Sequence, residues 1–370
     1  MRGHLPWKSR SSILRELHVP RETDTKGRMM RYRQLPRTDI QLSEICFGAA
    51  RFVPPNSPSD QWKDGFAVLD AAIDAGVNVI HSSEHYRTFE ALSSYMHRSP
   101  KANELHHIIK VQSPDYLEAG IDIGSLRTEI ENLLRKLNTD HLAVMQHLQR
   151  GPNCPKDLVY NSQGDEIRIP AMPSITDDVM ALAEDLKDEG KIGTIMTFPH
   201  TMGFARAILA HADIDGVIHF FDLLETEMME FFDEMTRRDM GFIAVRPLLQ
   251  GMLTDRRVQR DQLSADDPKS ESNWDPWYEL LERVKDAIGE QPENWAEFAL
   301  QFSLAPENVT TSIVRLNTLE QVASAVSVTE RDLLPAQLLA DVDEVVRSRK
   351  PIPKETLFYG PGQNAEGLVH

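Results

Sequence analysis

A (β/α)8 TIM barrel preceded by an N-terminal β-hairpin is the fold class this sequence predicts, and three observations carry it. Eight short β-rich runs alternate with amphipathic helices. Their number matches the strands of a closed parallel barrel. The length of 370 residues suits one such barrel, with chain enough to bury a core without disulfide or metal staples.

The hairpin comes first. Residues 31–35 and 41–45 alternate around Pro36-Arg37-Thr38-Asp39, a four-residue turn. The eight runs follow at 45–48, 77–81, 107–111, 142–146, 193–197, 216–220, 242–246 and 312–315. Between them, Trp62, Phe66, Leu69 and Ile73 recur at helical spacing, as do Leu126, Ile130, Leu133, Leu134 and Leu137. Val179, Leu182, Ala183 and Leu186 repeat the pattern behind a cap expected at Ser174, with Asp177 three residues on. Met228, Met229, Phe231, Phe232 and Met235 read as a helix packed on the barrel wall, and 335–347 as one more helix. Two connections exceed the usual few residues, 150–173 after the fourth run and 255–276 after the seventh. Barrel sites are built from the loops that follow strands, so both are candidate walls or lids. Trp274 and Trp277 in the second either pack it down or cover a substrate.

Residues 1–28 carry seven Lys/Arg against three acids and read as a disordered basic extension. They lack an apolar stretch with a small-residue cleavage site, so no secretory signal is expected. The barrel is expected over 29–350 and a C-terminal tail over 351–370. A formal charge of −17 argues against nucleic acid and anionic membranes as partners. Cys46 and Cys154 form neither a metal pair nor a disulfide framework, which suits a reducing cytoplasm. His4, His106 and His107 lack metal-ligand spacing, and no metal is expected. There is no Walker loop, serine nucleophile elbow or iron–sulfur cysteine run.

Five stretches in chain order carry a family resemblance. The hairpin followed by Ser43-Glu44-Ile45-Cys46-Phe47-Gly48-Ala49 resembles the opening of the aldo-keto reductases. Ala71-Ala72-Ile73-Asp74-Ala75-Gly76-Val77-Asn78 is similar to the turn ahead of the family's catalytic aspartate. Glu189-Gly190-Lys191-Ile192 resembles the approach to its fifth strand. Pro247-Leu248-Leu249-Gln250-Gly251-Met252-Leu253-Thr254 is similar to its pyrophosphate-binding loop, and Leu319-Glu320-Gln321-Val322 to its adenine-side helix. Together they cover roughly residues 29–348.

The resemblance implies hydride transfer between NADP(H) or NAD(H) and a carbonyl or alcohol substrate, served by an Asp, a Tyr, a Lys and a His at strand ends. The carbonyl oxygen gains negative charge as hydride arrives, so it needs a positioned proton donor. A lysine beside the tyrosine stabilises its phenolate, and the aspartate holds the lysine. Tyr86 and Lys110 fall on two of these positions. The aspartate position holds His81, expected to act as a neutral hydrogen-bond partner of Lys110. The histidine position falls on Leu148, with His147 one residue early, where only a bulge would turn it to the pocket. The implied catalytic set is therefore Tyr86, Lys110, His81 and His147.

On the cofactor side the resemblance implies Arg246, Leu249, Gln250, Gly251, Leu253, Arg315 and Gln321. Thr197-Phe198-Pro199-His200, Ile218, Val245, Ser324 and Ala325 replace the family's usual nicotinamide and adenine contacts. Arg246 and Arg315 either reach phosphates or form ordinary ion pairs. Two other functions compete. Without an anion beside it, Lys110 should have a lowered pKa, favouring a Tyr86 phenolate beside a lysine cation or a Schiff-base lysine. That would suit a non-redox epimerase, dehydratase or lyase. The third is a catalytically inert binding or regulatory barrel.

Overall fold

The computed structural model describes residues 30–112, 116–117, 120–155, 158–350 and 352. The expected basic extension, and all but one residue of the expected tail, lie outside them. β1 (Tyr32–Gln34) and β2 (Gln41–Ser43) form the antiparallel hairpin, Tyr32 opposite Ser43. β3 (Ile45–Gly48), β4 (Val79–Ser82) and β5 (His106–Gln112) follow. A small antiparallel pair, β6 (Tyr116–Leu117) and β7 (Gly120–Ile121), lies in the next connection. β8 (Leu142–Leu148), β9 (Ile192–Thr197), β10 (Gly216–Phe220), β11 (Gly241–Val245) and β12 (Val309–Val314) complete the set. β3, β4, β5, β8, β9, β10, β11 and β12 pair in that order, and β12 closes on β3. Each coincides with one of the eight expected runs.

Helices α1 (Lys63–Asp74), α2 (Phe89–Arg98), α3 (Ile123–Lys136), α4 (Ser162–Arg168), α5 (Met172–Asp188) and α6 (Met202–His211) lie between the strands. α7 (Phe232–Arg237), α8 (Asp275–Ile288), α9 (Trp295–Leu304), α10 (Leu319–Thr329) and α11 (Ala336–Arg347) follow. Their apolar stripes face the strands: Leu126, Ile130 and Leu133 of α3 are fully buried. Ser174 is not a cap. α5 begins two residues earlier, with Pro173 in its first turn where a missing N–H costs nothing. The methionine-rich stretch is a 3₁₀ turn running into the single-turn α7, and Met228, Phe231, Phe232 and Met235 are all buried.

The hairpin plugs the N-terminal end of the barrel, with Leu35 and Leu42 wholly inaccessible. Glycine permits this approach: a Cβ on Gly241 would stand 3.2 Å from Pro36 and 2.6 Å from Met196. Buried Glu44 accepts from Arg31 and Arg33, and Arg33 reaches the carbonyls of Leu304, Pro306 and Val309. The N-terminal mouth is therefore shut by structure, and chemistry is left to the other end.

Candidate active site

Strand register decides which side chains face the barrel axis. Parallel neighbours in register point to the same face of the sheet. Lys110 on β5 is opposite Gln146 on β8, while His81 on β4 is opposite Gly48 and Ile108. His81, Lys110 and Gln146 thus share the interior near the C-terminal ends of adjacent strands. Tyr86 joins them from the turn after β4, where its amide donates to the Ser83 carbonyl.

His81 Nε2 lies 2.8 Å from Gln146 Oε1. An amide oxygen only accepts, so His81 donates from Nε2. Burial pushes this imidazole down to about 4, partly opposed by the Gln146 bond and reinforced by the Lys110 charge. His81 is neutral at pH 7, as expected, but its partner is Gln146 and not Lys110. The reason is reach across the interior: β4 and β8 flank β5, and both side chains meet over it.

Lys110 Nζ stands over the Tyr86 ring, 4.6 Å from its centroid, and the His81 ring meets Tyr86 edge-on at 6.2 Å. Protein surrounds Tyr86 and Lys110, yet each keeps partial solvent contact. Burial, and then the Arg150 charge, pushes Lys110 down to about 7. The expected lowering of the lysine is present. The expected phenolate is not: burial, Tyr160 and Cys46 raise the Tyr86 phenol above its ordinary value. Tyr86 is a protonated donor at neutral pH.

His147 occupies the opposite face. Pairing of β5 with β8 runs without a break from Ile108–Val144 to Gln112–Leu148, so no bulge turns His147 inward. It lines a small cavity between the barrel wall and the helix layer, with Gln149, Val179, Ile195, Thr197 and Ile208. It does not join Tyr86, and Leu148 fills the inward position. The polar residue that faces the axis is Gln146, one residue before it. The signal was present in Leu142-Ala143-Val144-Met145-Gln146-His147-Leu148, where a strand buried on both faces carries two adjacent polar side chains.

Arg150, Arg168 and Tyr160, in the long loop expected as a wall or lid, were not singled out from the sequence. Arg150 starts the loop after β8, its amide turned back on the Leu148 carbonyl. That loop is anchored by Arg168, wholly buried, which donates to Asp165 and to the carbonyls of Gln149 and Pro199. The anchored loop presents Tyr160 edge-on to His200, at 5.1 Å. His200 sits at φ 67°, a left-handed conformation uncommon outside glycine, and also contacts Phe198. Its Nδ1 is buried without a hydrogen-bond partner.

The cofactor-side residues divide. Arg246 is turned onto buried Glu225, with which it forms an ion pair, and stacks on Phe220 at 3.8 Å. Leu249 and Leu253 are fully buried, so only their backbones can face a ligand. Leu249, Gln250 and Gly251 all have positive φ, the backbone of a tight loop. Gln250 Oε1 lies 3.3 Å from Lys269 Nζ, which in turn stands 3.3 Å over the Trp274 ring. Trp274 and Trp277 are buried and pack the second long loop down. Burial, then Arg257 and Arg246, pushes Lys269 down to about 7. Arg315 is exposed at the end of β12 and is lowered by burial, Arg51 and Arg257. Gln321 Oε1 accepts from the Asn317 amide at 2.7 Å, holding the turn into α10. Arg257 is held by buried Asp267, with Nε 2.8 Å from its Oδ2, which leaves Lys269 and Arg315 beside a tight loop whose backbone fits the phosphates of a dinucleotide.

The aldo/keto reductase family model matches residues 44–347. This chain belongs to the aldo/keto reductase family. Among curated relatives, the oxidoreductase YrpG of Bacillus subtilis is 23% identical, covering 90% of this chain and 97% of that protein. L-galactose dehydrogenase of Arabidopsis thaliana is 21% identical, covering 90% and 98%. Among solved structures, an aldo-keto reductase of Bacillus halodurans in its holo form superposes with TM-score 0.64 at 16% identity, over 85% of this chain and 96% of that one. A glycerol dehydrogenase of Gluconobacter oxydans gives 0.61 at 18%, over 87% and 97%. An aldo/keto reductase-type oxidoreductase acting on small carbonyl compounds follows from the family. No described helix is long and apolar enough to cross a membrane. Among the described residues no group of three or more His, Cys, Asp or Glu could hold a metal ion.

Proposed function

We propose that this protein interconverts a carbonyl compound and its alcohol with NADP(H) or NAD(H), with Tyr86 as proton donor and Lys110 as its electrostatic partner. The observation that carries the reading is the Lys110 ammonium over the Tyr86 ring in a mouth next to the cationic loop. A bound nicotinamide would supply or accept the hydride. The backbone of 249–253 with Lys269 and Arg315 would hold its phosphates, while the Arg257–Asp267 and Arg246–Glu225 pairs would set the shape of the loop.

During reduction the raised Tyr86 phenol holds its proton until the carbonyl oxygen becomes basic. Loss of that proton leaves a phenolate under Lys110, which stabilises it and then returns a proton. His81 contributes no charge; it fixes the wall behind Tyr86 through its bond to Gln146. Being neutral, His81 adds no anion to oppose the burial and the Arg150 charge that push Lys110 down to about 7. Cys46, a buried thiol outside any disulfide, supports a reducing, cytoplasmic setting.

Titration with NADPH and NADH should quench tryptophan fluorescence, since Trp274 lies against Lys269. Tyr86→Phe should abolish turnover while leaving that quench intact. No quench at millimolar cofactor would remove the reading. A second reading is favoured by the lowered Lys110: an amine pushed down to about 7 is partly neutral at pH 7 and can form a Schiff base with a carbonyl. Borohydride trapping of substrate on Lys110 without cofactor would support it.

A further inference from the structure

In a chain with 57 acids, the eight barrel strands hold no aspartate or glutamate at any position. They hold one lysine, Lys110, and no arginine. Register sorts their side chains by face. Gln146 is opposite both Lys110 and Met196, Phe220 is opposite Val245, and Val245 is opposite Ile313. Ile313 in turn pairs with Cys46, and Gly48 on the same strand pairs with His81. Side chains alternate along a strand, so all of these positions face the axis.

The mouth therefore has two unlike sides. On β4, β5 and β8 stand the polar groups His81, Lys110 and Gln146. On β9 to β12 the axis-facing residues nearest the C-terminal ends are Met196, Phe220, Val245 and Ile313, all apolar. Phe198, just past β9, extends this wall edge-on to Phe220 at 5.1 Å. Glu225, in the turn after β10, is engaged with Arg246, whose guanidinium covers the Phe220 ring. A dinucleotide with its phosphates on 249–253, after β11, reaches Tyr86 and Lys110 by laying its nicotinamide across the axis. There the strands offer it apolar side chains, one amine and no carboxylate. The oxidised ring carries a positive charge and the reduced ring carries none. An apolar wall withholds solvation from a cation, and a lysine ammonium repels it. The uncharged dihydro ring suffers neither.

We propose that this site discriminates between the two states of its cofactor, holding the reduced, uncharged nicotinamide more tightly than the oxidised cation. The protein thus loads with reductant when both forms are present and expels the oxidised form. The inference rests on the oxidoreductase reading for the cofactor and on the strand residues for the preference. Its pH dependence follows from Lys110, which is pushed down to about 7. Around that amine, His81 and His200 are lowered and neutral, and Tyr86, Tyr160 and Cys46 are raised and protonated. The Arg150 guanidinium stays charged throughout. Lys269 also titrates near 7, but it serves phosphates common to both forms and cancels in their ratio. The preference is therefore greatest below pH 7 and shrinks above it to the share due to the apolar wall.

The test is equilibrium binding to the full chain without substrate. NADPH, NADP+, NADH, NAD+ and the ringless ADP-ribose are titrated calorimetrically at pH 6.5 and pH 8.5. At pH 6.5 the reduced form should bind about tenfold tighter or more than its oxidised partner, the equivalent of about one pKa unit of interaction. The ratio should narrow at pH 8.5, and ADP-ribose should bind no less tightly than NAD+. His81→Asp, which returns a carboxylate to the axis, should narrow the ratio, whereas His81→Asn should not. Lys110→Met should narrow it and remove its pH dependence, and the native pH series stands if a variant does not fold. Equal affinity for the two forms, tighter binding of the oxidised one, or a ratio that neither pH nor Lys110→Met changes overturns the inference and leaves the oxidoreductase reading standing. Failure of every nucleotide to bind, ADP-ribose included, removes that reading and the inference with it.

Discussion

Returning a carboxylate to the position of His81 should move the titration of Lys110 upward. In the native protein the amine faces a neutral imidazole and is pushed down to about 7 by burial and by Arg150. The ring contacts bring His81, Tyr86 and Lys110 around one point, at 6.2 Å and 4.6 Å between partners. At an effective dielectric constant of about 20, opposite unit charges about 6 Å apart attract by about 2.8 kcal/mol, worth about two pKa units. His81→Asp should therefore carry the Lys110 midpoint from about 7 toward about 9, provided the aspartate ionises beside its new partner. Gln146 is placed to help, since its amide can turn and donate to the carboxylate. His81→Asn, which adds no charge, should leave the midpoint near its native value. Trace acetic anhydride labelling across the pH range, resolved by peptide mass spectrometry, reads the Lys110 amine directly. The pH profile of kcat/KM should shift in parallel. A midpoint in His81→Asp within half a unit of the native one, or lower, would refute the claim that the missing anion sets the lysine's proton affinity.

Acid should weaken the fold in a defined window. His81, His107 and His147 are buried and each is pushed down to about 4 by desolvation. Below pH 6.5 the unfolded chain binds protons that these rings refuse in the folded one, so stability falls as pH drops from about 6.5 to about 4, by about 2 kcal/mol per histidine at pH 5. Urea midpoints measured from pH 4.5 to 7.5 should trace this fall; a flat profile would contradict the assignment. Glu225→Gln strands the Arg246 guanidinium in a buried setting, and the loss should be about 3–5 kcal/mol in the same assay. Leu42→Ala empties part of the hairpin plug and should cost about 2–5 kcal/mol, with cofactor affinity unchanged because the plug lies at the opposite end of the barrel.

By itself the sequence determined the periodic part of this protein. Alternation and helical spacing are local, each run carries its own pattern, and all eight strands fall where the runs stand. The hairpin turn and the long loops were equally legible, while Tyr86 and Lys110 were brought to one pocket only by the family resemblance, and the two side chains do meet. What faces what across the barrel was decided only by the tertiary structure. Gln146 and His147 are neighbours in the chain, and the unbroken register of β8 sends one to His81 and the other to the helices. Arg246 could not be assigned to a phosphate or an acid until Glu225, some twenty residues away, was seen to be buried against it. Protonation is likewise a property of the assembled interior. The shifts of His81, Lys110 and Tyr86 arise from burial and from groups on other strands and loops, and neither exists in the chain before it closes.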